Sequence, residues 1–177
     1  EAQAALAPEA RLVARAAEDD EGVIRISEGS VTSPELTIEA DGFFARRTGD
    51  LGLDVALAAG AGLAALVDGV DFERVAFDGE VEGALSDLTA TGALALDGLR
   101  TAPADVGSAR LATVARVAGP QITVTLDGAT EGVRLDRLTP DLLGRGELSA
   151  SAAWDGATAT LDHLRFVSPL LTLGAEG

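Results

Sequence analysis

Hydrophobic and polar residues alternate along most of the chain, which is the pattern of half-buried β-strands. In "QITVTLDG", the side chains of Ile122, Val124 and Leu126 fall on one side of the strand, and the residues between them are polar. The same period of two recurs from Leu51 to Leu57 and from Leu88 to Leu96. Counted along the whole chain, it predicts roughly ten to twelve strands, each with one dry and one wet face.

Asp-Gly pairs predict how consecutive strands are connected, because this dipeptide favours the positive φ of tight hairpin turns. Most of the six pairs follow an alternating run, so we expect tight turns there and antiparallel pairing of consecutive strands. Asp78-Gly79 is the exception, since alternation continues through it, and we expect a bend or bulge within one long strand. The aspartates of the six pairs are Asp41, Asp68, Asp78, Asp97, Asp127 and Asp155.

Two short segments interrupt the period of two. "TPDLLG", from Thr139, has a capping hydroxyl, a proline suited to the first helical position and a glycine stop, so it predicts one helical turn. "GLAALVDG", from Gly62, predicts a second turn. The segment that begins at Leu99 contains Pro103 and Gly107, which indicate a loop, and its later part is compatible with either strand or helix.

A repeated decapeptide indicates an internal repeat. "SPELTIEADG" from Ser33 and "SPLLTLGAEG" from Ser168 share six of ten residues, and the similar segments "RLVARAAEDDEG" and "ELSASAAWDG" precede them. We therefore predict one continuous sheet over 1–177, with approximate repeat units 1–60, 61–138 and 139–177, the last one incomplete. Chance similarity among strands of similar composition is the alternative. A start without Met and an end within a predicted strand suggest a segment of a longer chain.

Composition and charge narrow the function classes. The chain has 29 acidic and 13 basic residues, a net charge of −16 and no Lys, so its field repels nucleic acid and anionic membrane surfaces. With 47% hydrophobic residues it is too apolar to be disordered. It contains no Cys and no apolar run long enough to span a bilayer.

No motif for catalysis or cofactor binding is present, so we expect neither an enzyme nor a bound cofactor or metal. His163 is the only histidine and has no serine in a nucleophile-elbow context near it. Acidic residues beside glycine, as at Glu18 to Gly22, could bind calcium, but the Asp-Gly pairs lack the nine-residue period of calcium-binding β-rolls. Trp154 stands beside a turn, where we expect it to cover the end of the apolar face.

A dry face made of aliphatic residues with few aromatics suits an open or folded-over sheet. Such a face could hold an acyl chain, which gains about 0.8 kcal/mol for each CH₂ group removed from water. The predicted lining of this groove is Leu36, Ile38, Leu53, Val55, Val75, Phe77, Val81, Leu94, Leu96, Ile122, Val124, Leu126, Leu135, Leu161, Leu171 and Leu173.

The phrases "VTSPELTIEADGFF", "ATGALALDGLR", "GVRLDRLTPDLLGRGELSASAAWDGATATLDHLRF" and "SPLLTLGAEG" resemble the TamB family, whose members belong to the AsmA-like superfamily of Gram-negative bacteria. The resemblance covers nearly the whole chain. It implies an elongated, curled antiparallel β-sheet, or β-taco, with an apolar concave interior. It also implies a periplasmic segment of a protein anchored in the inner membrane, with an outer-membrane TamA-type barrel as partner.

The function implied by this resemblance is transport of phospholipid acyl chains and outer-membrane biogenesis, including protein secretion and assembly, without enzyme activity. Expected partners are phospholipid acyl chains, the barrel through other parts of the full-length chain, and a second copy through edge-to-edge self-association, but no nucleic acid. The alternative is a structural or chaperone-like β-solenoid module, either an adhesin stalk or an outer-membrane-protein assembly factor, with a filled core and no lipid.

Overall fold

The computed structural model describes residues 10–66, 69–102, 104–135 and 144–176. They form one 3-10 helix, Ala61–Leu66, and thirteen β-strands. The strands are β1 (Arg11–Glu18), β2 (Val23–Thr32), β3 (Leu36–Ala45), β4 (Asp50–Gly60), β5 (Val70–Asp71), β6 (Arg74–Ala84), β7 (Asp87–Thr101), β8 (Ala104–Ala118), β9 (Gln121–Glu131), β10 (Arg134–Leu135), β11 (Arg145–Trp154), β12 (Ala159–Val167) and β13 (Thr172–Glu176).

All thirteen strands belong to one antiparallel sheet, so the predicted all-β fold is confirmed. Hydrogen-bonded neighbours follow the order β1-β2-β3-β4-β6-β7-β8-β9-β11-β12-β13. The two-residue strands β5 and β10 pair with β7 and β8, and they account for the excess over the predicted number of strands. Because β1 and β13 stand at opposite ends of this order, the sheet is not closed.

The interruptions of the strand pattern have different outcomes. The helical turn predicted within "GLAALVDG" is confirmed as the 3-10 helix Ala61–Leu66. The turn predicted from Thr139 lies in 136–143, outside the described residues. The segment after Leu99 is strand on both sides of a short connection, because β7 runs to Thr101 and β8 begins at Ala104.

The prediction that most Asp-Gly pairs form hairpin turns is wrong. Asp155-Gly156 does lie in a turn, but the pairs that start at Asp41, Asp97 and Asp127 lie inside β3, β7 and β9. They resemble the expected exception, Asp78-Gly79, which lies inside β6 as predicted. The physical reason is that each in-strand pair continues the alternation, with the aspartate on the polar side of the sheet and the glycine on the apolar side.

The decapeptide repeat is also a repeat of local structure. The Ser33 N–H donates to the Leu36 carbonyl at 2.7 Å, and the Leu36 N–H donates to Ser33 Oγ at 3.1 Å. The Ser168 N–H donates to the Leu171 carbonyl at 2.8 Å, and the Leu171 N–H donates to Ser168 Oγ at 3.0 Å. Each Ser-Pro pair therefore lies in a turn that precedes its strand.

Little of the chain is enclosed. Among the described residues, the hydrophobic side chains that are buried are Ala59, Ala64, Ala109, Leu111, Val133 and Phe166. The accessible surface is 11225 Å², whereas a compact protein of this mass exposes about 8,000 Å². In the part of the chain that the structure describes, the fold is thus a sheet with a partly covered apolar face, over which no second layer of secondary structure lies.

Candidate functional site

The register of the sheet sorts its side chains onto two faces, because residues directly opposite each other on paired strands share a face. One face, named here the apolar face, carries the odd-numbered residues of β4, β6 and the main part of β8, and the even-numbered residues of β3, β9 and β11. The other face, named the polar face, carries nearly all the charged side chains of these strands.

On the apolar face the side chains form rows that run across the strands. One row, named the bulky row, consists of Leu12, Val31, Ile38, Leu57, Phe77, Leu94, Leu111, Gly128, Leu148, Phe166 and Leu173. The next row, named the small row, consists of Ala14, Gly29, Ala40, Val55, Gly79, Gly92, Thr113, Leu126, Ala150, Leu164 and Ala175. Both rows extend over eleven strands, so the apolar face is continuous from β1 to β13.

The register places fourteen of the sixteen predicted lining residues on the apolar face. They span its width, since Val75 and Leu96 lie near one end of the strands and Ile122 near the other. The remaining two, Leu135 and Leu171, lie outside these rows. Both pack against the buried pair formed by Val133 and Phe166.

Glycines on the apolar face permit backbone contacts that no other residue allows. A Cβ atom on Gly128 would lie 2.2 Å from the Arg110 carbonyl oxygen, and one on Gly79 would lie 2.3 Å from that of Thr91. Such distances are far below any real contact of a Cβ atom, so these positions require glycine. The in-strand glycines therefore allow the neighbouring strand to approach more closely than a side chain would permit.

Phenylalanine rings cover several of these glycines. The ring of Phe77 lies 2.9 Å from the ideal Cβ positions of both Gly79 and Gly92, and the ring of Phe166 lies over Gly146. An aromatic ring over a strand glycine compensates for the missing side chain by burying the exposed backbone. Three of the five phenylalanines act in this way, since Phe43 covers Gly52 on the polar face.

Exposure varies strongly along the apolar face. Leu111 is 3% exposed and Ala109 is 3% exposed, whereas Leu173 is 37% and Trp154 is 44% exposed. The buried members lie on the central strand β8, and the exposed ones lie on β13 and at the turn end of β11. Position across the sheet is not the whole cause, because Phe166 on β12 is 8% exposed and Val117 on β8 is 36% exposed.

Two threonines, Thr113 and Thr130, lie among the aliphatic and aromatic side chains of the apolar face. Among the described residues of this face, only Glu18, at a corner, is charged. Thr130 is 2% exposed, and its hydroxyl donates to the Gly146 carbonyl at 3.2 Å. Thr113 is 8% exposed, but its Oγ1 has no hydrogen-bond partner in the described part of the chain. A buried hydroxyl without a partner is costly, so Thr113 is an exception on this face.

Arginines on the polar face join neighbouring strands. The Arg116 Nε and Nη2 atoms donate to the Asp87 carboxylate at 2.8 and 2.6 Å, and these hydrogen bonds hold the pKa of Asp87 below its ordinary value. Arg110 pairs with Asp97 at 3.1 Å between the same two strands. Because the pairs are exposed, each contributes little to stability, and their main effect is to favour one register.

The carboxylates of β3, β4 and β6 lack such partners. Asp41, Asp54 and Glu80 stand directly opposite one another on three adjacent strands, and none of them forms an ion pair with a described residue. They line a shallow depression of about 290 Å³. No group of three or more His, Cys, Asp or Glu within the described ranges is placed to hold a metal ion.

Two other features lie on the polar face. His163 lies on β12 opposite Ser151 and Glu176. A polar-face depression of about 560 Å³ is lined by the charged residues Asp127, Glu147 and Arg165 together with apolar residues such as Val167. Within the described residues, no helix has the length and apolar character needed to cross a bilayer.

Alternation in the sequence identified the apolar face, but it missed the small row and the unpaired Thr113. Of the glycines in the in-strand Asp-Gly pairs, only Gly79 belongs to the small row, so these pairs do not reveal the row before the register is known. Comparison with known proteins adds no name to this site. No family model matches the sequence, and neither a curated protein nor a solved structure is significantly similar to it.

Proposed function

We propose that the apolar face is a groove that holds phospholipid acyl chains and passes them along the sheet. The observation that carries this proposal is the continuous apolar face, which extends across eleven strands and has no second layer of secondary structure over it in the described residues. Most of its large side chains are half-buried, and Leu12, Trp154, Leu161 and Leu173 are 37–74% exposed. A soluble protein rarely leaves so large an apolar surface without a partner. The rows run perpendicular to the strands, so a chain lying along a row would meet apolar side chains from one end of the sheet to the other.

The energetics favour an acyl chain as the occupant. Eleven strands about 4.8 Å apart give rows of about 48 Å, which exceeds the length of one extended acyl chain. A chain of about 16 carbons would gain on the order of 12 kcal/mol from leaving water, without any specific polar contact. Apart from Thr113 in the small row, both rows are apolar throughout their length. The gain therefore changes little as the chain moves along most of a row, which is what a conduit requires.

The polar face supports the same proposal. It carries most of the charge of a chain with net charge −16, and it is separated from the apolar face by the thickness of one sheet. One side of the sheet can therefore face water while the other faces lipid. This division suits the proposed setting in the periplasm, as part of a protein anchored in the inner membrane that works with a TamA-type barrel in outer-membrane biogenesis.

Matched charged substitutions on the two faces test the proposal. Val124→Asp places a carboxylate on the apolar face, and Thr125→Asp places one on the polar face of the same strand. Leu96→Asp and Ala93→Asp form a second such pair on β7. Each variant is purified without detergent, its fold is checked by circular dichroism, and its phospholipid content is measured by native mass spectrometry.

We expect Val124→Asp and Leu96→Asp to lose bound phospholipid, because a carboxylate in the groove disfavours an acyl chain. Their polar-face counterparts should keep it. In the full-length protein, the same two apolar-face variants should abolish lipid transport. If folded Val124→Asp and Leu96→Asp proteins retain phospholipid and support transport as wild type does, the proposal is wrong.

A further inference from the structure

One half of the small row is a shallow trough. From β2 to β7 its members are Gly29, Ala40, Val55, Gly79 and Gly92. The bulky row stands on one side of this trough, and the row that contains Ile26, Leu53 and Val81 stands on the other. We name the five residues from Gly29 to Gly92 the small-residue trough.

Thr113 closes one end of the small-residue trough. It lies directly opposite Gly92, and the next member of the row, Leu126, fills the space beyond it. The Thr113 hydroxyl has no hydrogen-bond partner among the described residues. The residues that flank Thr113 on the apolar face are all Ala, Gly, Val or Leu. A donor thus sits at the closed end of an apolar trough.

We propose, on the basis of the proposed function, that the Thr113 hydroxyl donates a hydrogen bond to the carbonyl oxygen of a fatty acyl group whose chain lies along the small-residue trough. The distance from Thr113 on β8 to Gly29 on β2 is five strand spacings, or about 24 Å. An extended chain with C–C bonds of about 1.5 Å advances about 1.3 Å per carbon. A chain of about 16 to 18 carbons therefore fits between the hydroxyl and β2.

The ring of Phe77 covers Gly79 and Gly92, so a chain lying along the small-residue trough must displace this ring. The carbonyl oxygen of the chain would then accept the hydrogen bond that the Thr113 hydroxyl does not make within the described residues. Binding and the removal of an unsatisfied donor are coupled in this arrangement.

Thr113→Val tests the inference, because it replaces the hydroxyl by a methyl group of the same shape. Thr113→Ser restores the hydroxyl, and Thr130→Val is the matched control, since Thr130 is buried on the same face but has an intramolecular partner. Palmitic acid, methyl palmitate and hexadecane are delivered from cyclodextrin to each protein. Their binding is measured by native mass spectrometry and by displacement of a fluorescent alkyl probe.

We expect Thr113→Val to bind the acid, the ester or both roughly five- to tenfold more weakly than wild type does, with hexadecane unaffected. Thr113→Ser and Thr130→Val should retain the preference for a carbonyl group. An effect on the ester alone identifies an esterified lipid as the source of the acyl group, and an effect on the acid alone identifies a free fatty acid. Thr113→Val without ligand should also unfold at higher urea concentration than wild type.

The inference is overturned if wild type binds all three ligands and Thr113→Val binds them with unchanged relative affinities. That outcome leaves the proposed function standing, since hexadecane binding depends only on the apolar face. If wild type binds none of the three ligands, the proposed function fails and this inference fails with it.

Discussion

The close approach of the adjacent backbone at Gly128 makes Gly128→Ala the most informative stability variant. The new Cβ atom would lie 2.2 Å from the Arg110 carbonyl oxygen and 2.9 Å from the Leu111 Cα atom. Both are backbone atoms of the adjacent strand, so no side-chain rotation can relieve the contact, and the two strands must separate. Overpacking of this kind costs about 3 kcal/mol or more.

Gly174→Ala is the matched control. Its new Cβ atom would meet nothing closer than the Leu164 carbonyl oxygen at 3.7 Å, which is an ordinary contact. The stability of this variant should stay within about 0.5 kcal/mol of wild type or rise slightly, because Ala restricts the unfolded chain more than Gly does. Gly79→Ala, where the Thr91 carbonyl oxygen is 2.3 Å away, should repeat the effect of Gly128→Ala on another strand.

Urea and thermal unfolding followed by circular dichroism measure these differences. A loss of about 3 kcal/mol lowers the melting temperature of a protein of this size by roughly 10 °C. If Gly128→Ala and Gly174→Ala unfold together with wild type, the close approach of β8 and β9 at Gly128 does not exist. The conclusion that this position requires glycine would then be refuted.

Three further predictions concern packing, charge and the free edges. Leu111→Ala should lower the free energy of unfolding by about 3 kcal/mol and Leu173→Ala by less than about 1 kcal/mol, because the two side chains are 3% and 37% exposed. Equal losses of unfolding free energy, measured by urea denaturation, would contradict this. The pKa of the Asp87 carboxyl, measured by NMR titration, should lie below the ordinary value of about 3.9. The stability that this carboxylate contributes above the ordinary value is therefore lost as the pH falls through the lower pKa of the folded state. An unchanged Asp87 titration midpoint in Arg116→Ala would contradict the role of the hydrogen bonds. Wild type should associate through its strand edges in analytical ultracentrifugation, and Leu173→Lys on β13 should weaken this association; a concentration-independent monomer would refute it.

Strand identity could be predicted from the sequence because it depends on local alternation. The segment from Gln121 alternates over its whole length and forms β9, and the segment that contains Asp78-Gly79 forms one long strand as expected. For the other in-strand Asp-Gly pairs the predicted turn is wrong. The dipeptide has the same local preference in a hairpin turn and inside a strand. Pairing with the neighbouring strand determines which of the two forms, and local sequence does not reveal that pairing.

The candidate site, too, could be predicted only where it depends on local sequence and not on strand pairing. Alternation is sufficient to place Val124 and Leu126 on one face, because side chains alternate within a single strand. The alignment of Gly79 with Gly92 and of Gly92 with Thr113 depends on register, which is a property of strand pairs. The small row and the unpaired hydroxyl therefore emerge only from the folded sheet.

The central claim is that the apolar face holds lipid, and native mass spectrometry of the wild-type protein purified without detergent tests it most directly. The account predicts mass increments that correspond to bound phospholipid, which disappear on extraction with organic solvent, and crosslinking of a photoactivatable acyl chain to residues of the bulky and small rows. A clean apo mass, with no crosslinking at either row, would contradict the account and favour a sheet that carries no lipid.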